Sequence, residues 1–260
     1  MTKITTIIDH ELTEDQIADY RRDGFVTLPG VFAGDALNAL RGAVAAAVET
    51  ESGADAPPMG TYSRIFNQKV NLWQRHPAVR DAATQRRLGR IAARLEGVPM
   101  RIWHDQALFK GPGQGDNWTP WHQDAVYWPH ADRRRQMTIW IALGDATRQN
   151  GCMSFVPGTH ELGPLAPVTL HDPADIFAQA PEARRRKAVA CPLAAGSATF
   201  HNGLTFHYAG PNRSDGMREA YAVIFMPEDT IYDGAPHIVT DPLGLAPGAP
   251  LDGGPFPVVG

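Results

Sequence analysis

Trp121-His122-Gln123-Asp124 sets an imidazole and a carboxylate two residues apart. Side chains alternate with period two along an extended segment, so His122 and Asp124 are expected on one face, converging on one point. A second histidine from elsewhere in the chain would complete three ligands capping one face of an octahedral metal. The three opposite positions would stay open for substrate, cosubstrate or oxygen, as in non-haem Fe(II) chemistry. A His-x-Asp alone is a common pattern, and its context has to support it.

Phe200-His201-Asn202-Gly203-Leu204-Thr205-Phe206-His207-Tyr208 offers two candidates for the third ligand. His201 and His207 are six residues apart, so parity does not separate them. The next segment favours His207. Tyr208-Ala209-Gly210-Pro211-Asn212-Arg213-Ser214 reads as a turn, and a strand begins at Arg218. An antiparallel return would set Arg218 across from the strand holding His207, and close to it. A guanidinium just behind a metal suits a dicarboxylate cosubstrate, whose 2-oxo acid end would chelate iron while its distal carboxylate pairs with the fork.

These residues need elements to position them. The chain has 260 residues and net charge −4, with no electrostatic case for nucleic acid or an anionic membrane. Cys152 and Cys191 are far apart without Cys-x-x-Cys spacing, which argues against a disulfide scaffold or thiolate zinc site and fits a reducing cytoplasm. Neither a signal peptide nor an 18-residue apolar span is visible. Residues 1–10 read as a lead-in. Thr13 can cap a first helix with Gln16 closing the box and Leu12 stapling to Ile17; Asp23-Gly24 ends it. A strand is expected over 25–28, then a helix with Leu37, Leu40, Val44 and Val48 at helical spacing, then a loop over 51–60. Tyr62 to Trp73 has no clean period and suits a pocket wall or lid. His76-Pro77 opens a third helical region carrying Leu88, Ile91, Ala92 and Leu95, closed by Gly97-Val98-Pro99.

From residue 100 the pattern changes to short strands. They are expected over 100–109, 137–143, 153–156, 187–190, 197–201, 204–208 and 218–226, with a long connection over 160–183. Most of the Gly and Pro residues lie in this half. Such spacing indicates a barrel or jelly roll, with the earlier helices packed outside one β core. A single domain over 1–260 is expected, its helical part (about 10–98) resting on a core of about 99–230.

Further blocks carry a resemblance. After the His122–Asp124 tetrad come Trp140, then Asn150-Gly151-Cys152-Met153-Ser154-Phe155-Val156-Pro157-Gly158-Thr159-His160, then His207 to Ser214, then Arg218. Their order and spacing, from about residue 10 to 245, resemble the phytanoyl-CoA dioxygenase family. The resemblance implies a mainly β fold with flanking helices, a double-stranded β-helix (jelly roll, cupin-like) core, and use of Fe(2+), 2-oxoglutarate and O2. It implies His122, Asp124 and His207 as iron ligands and Arg218 on the distal carboxylate of 2-oxoglutarate. Gln106 matches a cosubstrate-contacting position. Arg64 stands where a Lys usually lies in the lid, Trp140 matches a pocket wall, and Thr138 shares its strand face. Lys110 is a further cosubstrate candidate. Ala209 falls where some relatives place a Ser.

The implied activity is oxidation of a small molecule, most directly hydroxylation of an unactivated C–H, by a monomer or small homo-oligomer. An intact Asp124 argues against halogenation, since related halogenases replace this carboxylate with Gly or Ala. Two other classes fit parts of the pattern: a cupin-like metal-dependent isomerase or hydrolase that ignores 2-oxoglutarate, and a non-catalytic binding module. His160 is expected to bond backbone, and His104 to lie on the strand feeding the pocket. His10, His76, His130, His171 and His237 read as loop residues. Arg133-Arg134-Arg135 and Arg184-Arg185-Arg186-Lys187 read as solvated runs, with a CoA-phosphate site as the sharper alternative.

Overall fold

The computed structural model describes residues 12–52, 67–113, 118–169 and 174–259. The lead-in, most of the 51–60 loop, Arg64 with the first part of the expected lid, His10 and His171 lie outside the described residues.

Helix α1 (Glu14–Asp23) opens with the reciprocal capping box between Thr13 and Gln16, and Gly24 closes it at φ 81°. Leu12 and Ile17 are both buried in one apolar cluster, as a staple requires. Strand β1 (Phe25–Leu28) follows, then α2 (Gly34–Thr50), which buries Leu40, Val44 and Val48. The described part of the expected lid is not irregular. It forms β2 (Asn67–Val70) and α3 (Leu72–Arg75). The third helical region divides into α4 (Pro77–Ala83) and α5 (Arg86–Glu96).

The remaining strands are β3 (Met100–Lys110), β4 (Thr119–His122), β5 (Met137–Ala142), β6 (Met153–Phe155), β7 (Val189–Cys191), β8 (Ala198–Asn202), β9 (His207–Ala209) and β10 (Arg218–Pro227). Helix α6 (Ile176–Gln179) interrupts the long connection. All strand pairs are antiparallel. A large sheet runs β1-β8-β5-β10-β3-β2, and a small sheet runs β4-β9-β6-β7.

The large sheet is buried on both faces. Its outer face gives Ile139, Ile141, Phe200 and Val223 to a cluster shared with Leu40, Val44, Leu88 and Leu95 of the helices. Its inner face gives Trp140, Ala220 and Ala222 to a second cluster, with Met153, Phe155 and Ala209 of the small sheet. Every residue of β5 is buried. A strand covered on both sides reads as a continuous apolar run rather than an alternation, and Met-Thr-Ile-Trp-Ile-Ala is such a run. Its one polar side chain, Thr138, faces the space between the sheets.

Candidate metal and cosubstrate site

His122 ends β4, but Asp124 lies beyond the strand. Its backbone is helical (φ −74°, ψ −47°) and opens the short turn Ala125–Tyr127. The two side chains therefore converge because the chain turns, not through strand periodicity. Their approach is 3.2 Å, from His122 Nε2 to Asp124 Oδ1. Gln123, between them, is 1% exposed. Its Nε2 donates to Gly163 O (2.9 Å) and Leu204 O (2.8 Å), and its Oε1 accepts from Leu165 N (2.9 Å). One side chain thus ties the ligand turn to two other loops. Trp121 stacks on Tyr208, with ring centroids 5.3 Å apart.

His207 starts β9 and is the direct partner of His122 in the β4–β9 register. That register is irregular between Thr119 and His122. The shift lets both residues face one cavity although they are three apart. The expected strand over 204–208 begins later, because residues 203–206 cross from the large sheet to the small one. Their backbone groups go elsewhere: Leu204 N to Asn202 Oδ1, Leu204 O to Gln123, Phe206 N to Thr159 Oγ1.

His122 Nδ1 lies 2.7 Å from Pro120 O, and His207 Nδ1 lies 3.0 Å from Thr205 O. A carbonyl only accepts, so each Nδ1 carries the proton. The Nε2 atoms then carry lone pairs whenever the rings are deprotonated. They point at Asp124 Oδ1, from 3.2 Å and 3.4 Å. Burial and the adjacent His207 lower the His122 pKa, which favours its neutral form. Burial alone would raise the Asp124 pKa, but His207, His122 and His201 outweigh it and hold the carboxylate well below its usual range. With both rings deprotonated, three acceptors meet in one buried place, an arrangement that suits a cation between them. Ligands about 2.1 Å from a shared ion and at right angles stand about 3 Å apart, close to the separations seen here. Among the described residues His122, Asp124 and His207 form the one such group of three. The mixed imidazole–carboxylate set, with no thiolate, suits Fe(II).

The cavity beside this group is also lined by Gln106, Thr138, Trp140, His201, Ala209 and Arg218. Arg218 starts β10, which pairs with β3 and β5 in the large sheet. The expected antiparallel pairing with the His207 strand is therefore incorrect: residues 210–217 cross between the sheets, and Arg218 faces the triad across the cavity. It is 3% exposed, and its guanidinium lies 5.2 Å from the Trp140 ring. Its Nε has no hydrogen-bond partner, and among the described residues no carboxylate pairs with it. Burial lowers its pKa to about 10.

The other expected cosubstrate contacts divide. Trp140 and Gln106 face the cavity; Gln68 Nε2 donates to Gln106 Oε1 (2.6 Å), which leaves the Gln106 amide N–H groups for the cavity. Thr138 spends its hydroxyl on Asp124 Oδ2 (3.2 Å) and so supports a ligand rather than the cosubstrate. Lys110 is the cross-strand partner of Arg218 but does not line the cavity. Its ammonium donates to Gly210 O (2.8 Å), pinning the turn after β9, and burial followed by the Arg218 charge lowers its pKa to about 6. Ala209 lines the cavity with no hydroxyl to offer.

Outside the site, His160 Nε2 lies 3.2 Å from Arg21 O, in line with the expected backbone bond. His104 lies on β3, as expected, and His130 and His237 lie outside the named strands and helices; all three join an aromatic cluster around Trp103 and Trp128. The arginine runs are mostly exposed, as expected, with three members held: Arg133 pairs with Asp233, Arg184 with Asp175, and Arg186 donates to Pro157 O. From sequence Gln68 stands only within the expected pocket wall or lid and Gln123 has no assigned role, since an isolated Gln carries no spacing signal.

The family model for phytanoyl-CoA dioxygenase matches residues 20–220. A phytanoyl-CoA dioxygenase domain-containing protein 1 from Danio rerio is 32% identical over 149 residues, covering 55% of this chain and 50% of that protein. The chain spans about half the length of the curated relatives it matches. Among solved structures, the non-haem α-ketoglutarate-dependent carbocyclase SnoK from nogalamycin biosynthesis is 31% identical, with a TM-score of 0.81 over 96% of this chain and 97% of that one. The epimerase SnoN, in complex with Fe3+, α-ketoglutarate and nogalamycin RO, is 31% identical, with a TM-score of 0.78 over 95% and 98%.

Proposed function

We propose, from the premise that this chain belongs to the phytanoyl-CoA dioxygenase family, that it is an Fe(II)- and 2-oxoglutarate-dependent oxygenase of a small molecule. Its most direct outcome is hydroxylation of an unactivated C–H bond, with succinate and CO2 as coproducts. The observation that carries this reading is the buried Arg218 guanidinium, without a carboxylate partner among the described residues, facing the three converging acceptors.

In this reading His122, Asp124 and His207 would hold iron. The chemistry supplied by bound iron is activation of O2 coupled to oxidative decarboxylation of 2-oxoglutarate. The chain's residues do the positioning. Arg218 neutralises the distal carboxylate of the cosubstrate, and Trp140 walls it while stacking on that guanidinium. Gln106 offers amide N–H groups whose direction Gln68 sets. The apolar inner-face side chains Leu108, Trp140, Met153 and Ala222 limit water beside these charges, which strengthens each charge contact. Asp124, intact, favours oxygen transfer over halogenation.

The similarity to a carbocyclase and an epimerase supports a second outcome, in which the same oxidising centre closes a ring or inverts a stereocentre. Which occurs depends on the C–H bond that the substrate presents. No helix among the described residues is long and apolar enough to cross a membrane. The two buried free cysteines suit a reducing cytoplasm, and we place the protein there as a monomer or small homo-oligomer.

Anaerobic addition of Fe(II) and 2-oxoglutarate should give a weak visible charge-transfer band. Arg218→Ala should weaken 2-oxoglutarate binding, read from that band, at least tenfold, because a charge-assisted pair contributes roughly 1.5–3 kcal/mol. Unchanged affinity would sink the assignment of Arg218. A protein that turns over with zinc or manganese and is indifferent to 2-oxoglutarate would instead be an isomerase or hydrolase.

A further inference from the structure

The two carboxylate oxygens of Asp124 have different surroundings. Oδ1 faces the Nε2 atoms of His122 and His207. Oδ2 faces the large sheet, where Thr138 Oγ1 donates from 3.2 Å and His201 Nε2 stands 3.6 Å away. Thr138 and His201 are direct partners in the β5–β8 register, side by side on the inner face. His201 is 1% exposed and lines the cavity, and neither of its ring nitrogens has a hydrogen-bond partner. Its ring is seated against Phe155 and His207, with centroids 5.1 Å and 4.9 Å away.

His201 differs from the other two histidines in one respect. His122 and His207 each have Nδ1 locked on a backbone carbonyl, which turns Nε2 into a lone-pair donor for a metal. No carbonyl holds Nδ1 of His201. Its proton is therefore at liberty to reside on Nε2, the atom that faces the carboxylate. A buried imidazole beside a carboxylate gains most by donating to it.

We propose that His201 is a positioning residue: its Nε2–H, together with the Thr138 hydroxyl, holds Oδ2 of Asp124 against the large sheet so that only Oδ1 reaches the metal. This deepens the metal-centre reading and rests on it. A carboxylate held by one oxygen takes one coordination position, and a carboxylate free to swing could take two. His201 and Thr138 thus keep a position open for the reactants. Partners of this kind commonly change metal affinity or activity by about 10–100-fold.

The test uses the full chain with His201→Leu, His201→Gln, Thr138→Val and, as the ligand control, His122→Ala. Fe(II) is titrated anaerobically against a chromophoric chelator, Co(II) serves as a spectroscopic probe, and thermal unfolding verifies the fold. His201→Leu is expected to weaken both ions by about 10–100-fold and to alter the Co(II) visible bands as the carboxylate swings. His201→Gln retains an N–H donor and should recover most of the affinity and the wild-type bands. Thr138→Val should give a smaller loss in the same direction. If His201→Leu unfolds, His201→Phe, which keeps a ring but no donor, replaces it. A folded Leu or Phe variant with wild-type affinity and bands overturns the proposal. So does a loss as complete as in His122→Ala without rescue by Gln, because His201 would then be a ligand. If the wild type itself binds neither ion, the metal-centre reading falls, and this inference with it.

Discussion

Gln123 shows how a residue with no chemistry of its own can govern a site. It lies between two candidate ligands, is almost fully buried, and its amide makes three hydrogen bonds to two other loops. Gln123→Leu keeps the volume and removes all three bonds. Two carbonyls and one N–H would be left unsatisfied, at a cost of about 1–3 kcal/mol each where water cannot reach them. We expect a lower urea midpoint and Fe(II) affinity reduced about tenfold or more, the usual scale for groups that orient ligands. A stable variant with wild-type affinity would show that the ligand turn holds its shape without the clamp. Arg218 and His201 belong to the same scale: each is a buried polar group whose environment supplies no ordinary partner.

Elements carry the site through their corners. Gly24 ends α1 in the left-handed region, and its carbonyl accepts from Asn202 N (2.8 Å) and Thr205 Oγ1 (2.9 Å). A Cβ there would stand 2.3 Å from Thr205 Oγ1 and 2.5 Å from His160 Nδ1. The α1–β1 corner therefore shapes the crossing segment that ends at His207. Gly24→Ala combines a strained φ with overpacking, and a loss of roughly 1–3 kcal/mol is expected. Chemical denaturation measures it, and an unchanged midpoint would contradict the coupling of corner to crossing. Gly151 makes a similar approach on the other side, where a Cβ would lie 2.2 Å from Gly210 O. The helix ends were legible in sequence where a Gly stops the run, as at Gly24 and Gly97. The β2 strand was not, because Asn-Gln-Lys-Val has no apolar alternation. It exists through pairing with β3, which no local signal announces.

At the scale of the molecule, helices and large sheet bury one another, and Asp105 sits in that joint. It is fully buried, accepting from Tyr221 Oη (2.6 Å) and Trp73 N (3.0 Å). Burial raises its pKa to about 7, against the opposing effect of these bonds. The folded pKa exceeds the unfolded one, so the group's contribution is fully present below about pH 4 and is lost as pH rises through about 7. Asp105→Asn mimics the protonated form. The Tm of wild type relative to this variant should fall between pH 5 and pH 8. A constant difference across that range would mean that Asp105 is ionised in the folded protein at both ends. Glu96, buried beside Tyr20 and Asn202 and raised to about 7, adds a second slope of the same sign to both proteins.

The sequence by itself determined the element types along most of the chain, the His122–Asp124 pair and the candidate roles of His207 and Arg218. These rest on local signals: caps, turn residues, apolar periods and the spacing of motif blocks. Tertiary structure decided how they meet. It placed Asp124 on a turn rather than the strand, and moved Arg218 from beside the His207 strand to the facing sheet. It also turned Thr138 and His201 towards one oxygen of Asp124. The reason is physical. Whether a chain returns alongside its own strand or crosses to another sheet depends on which backbone groups find partners. Here those partners, Asn202, Gln123, Thr159 and Lys110, are side chains scattered from residue 110 to residue 202.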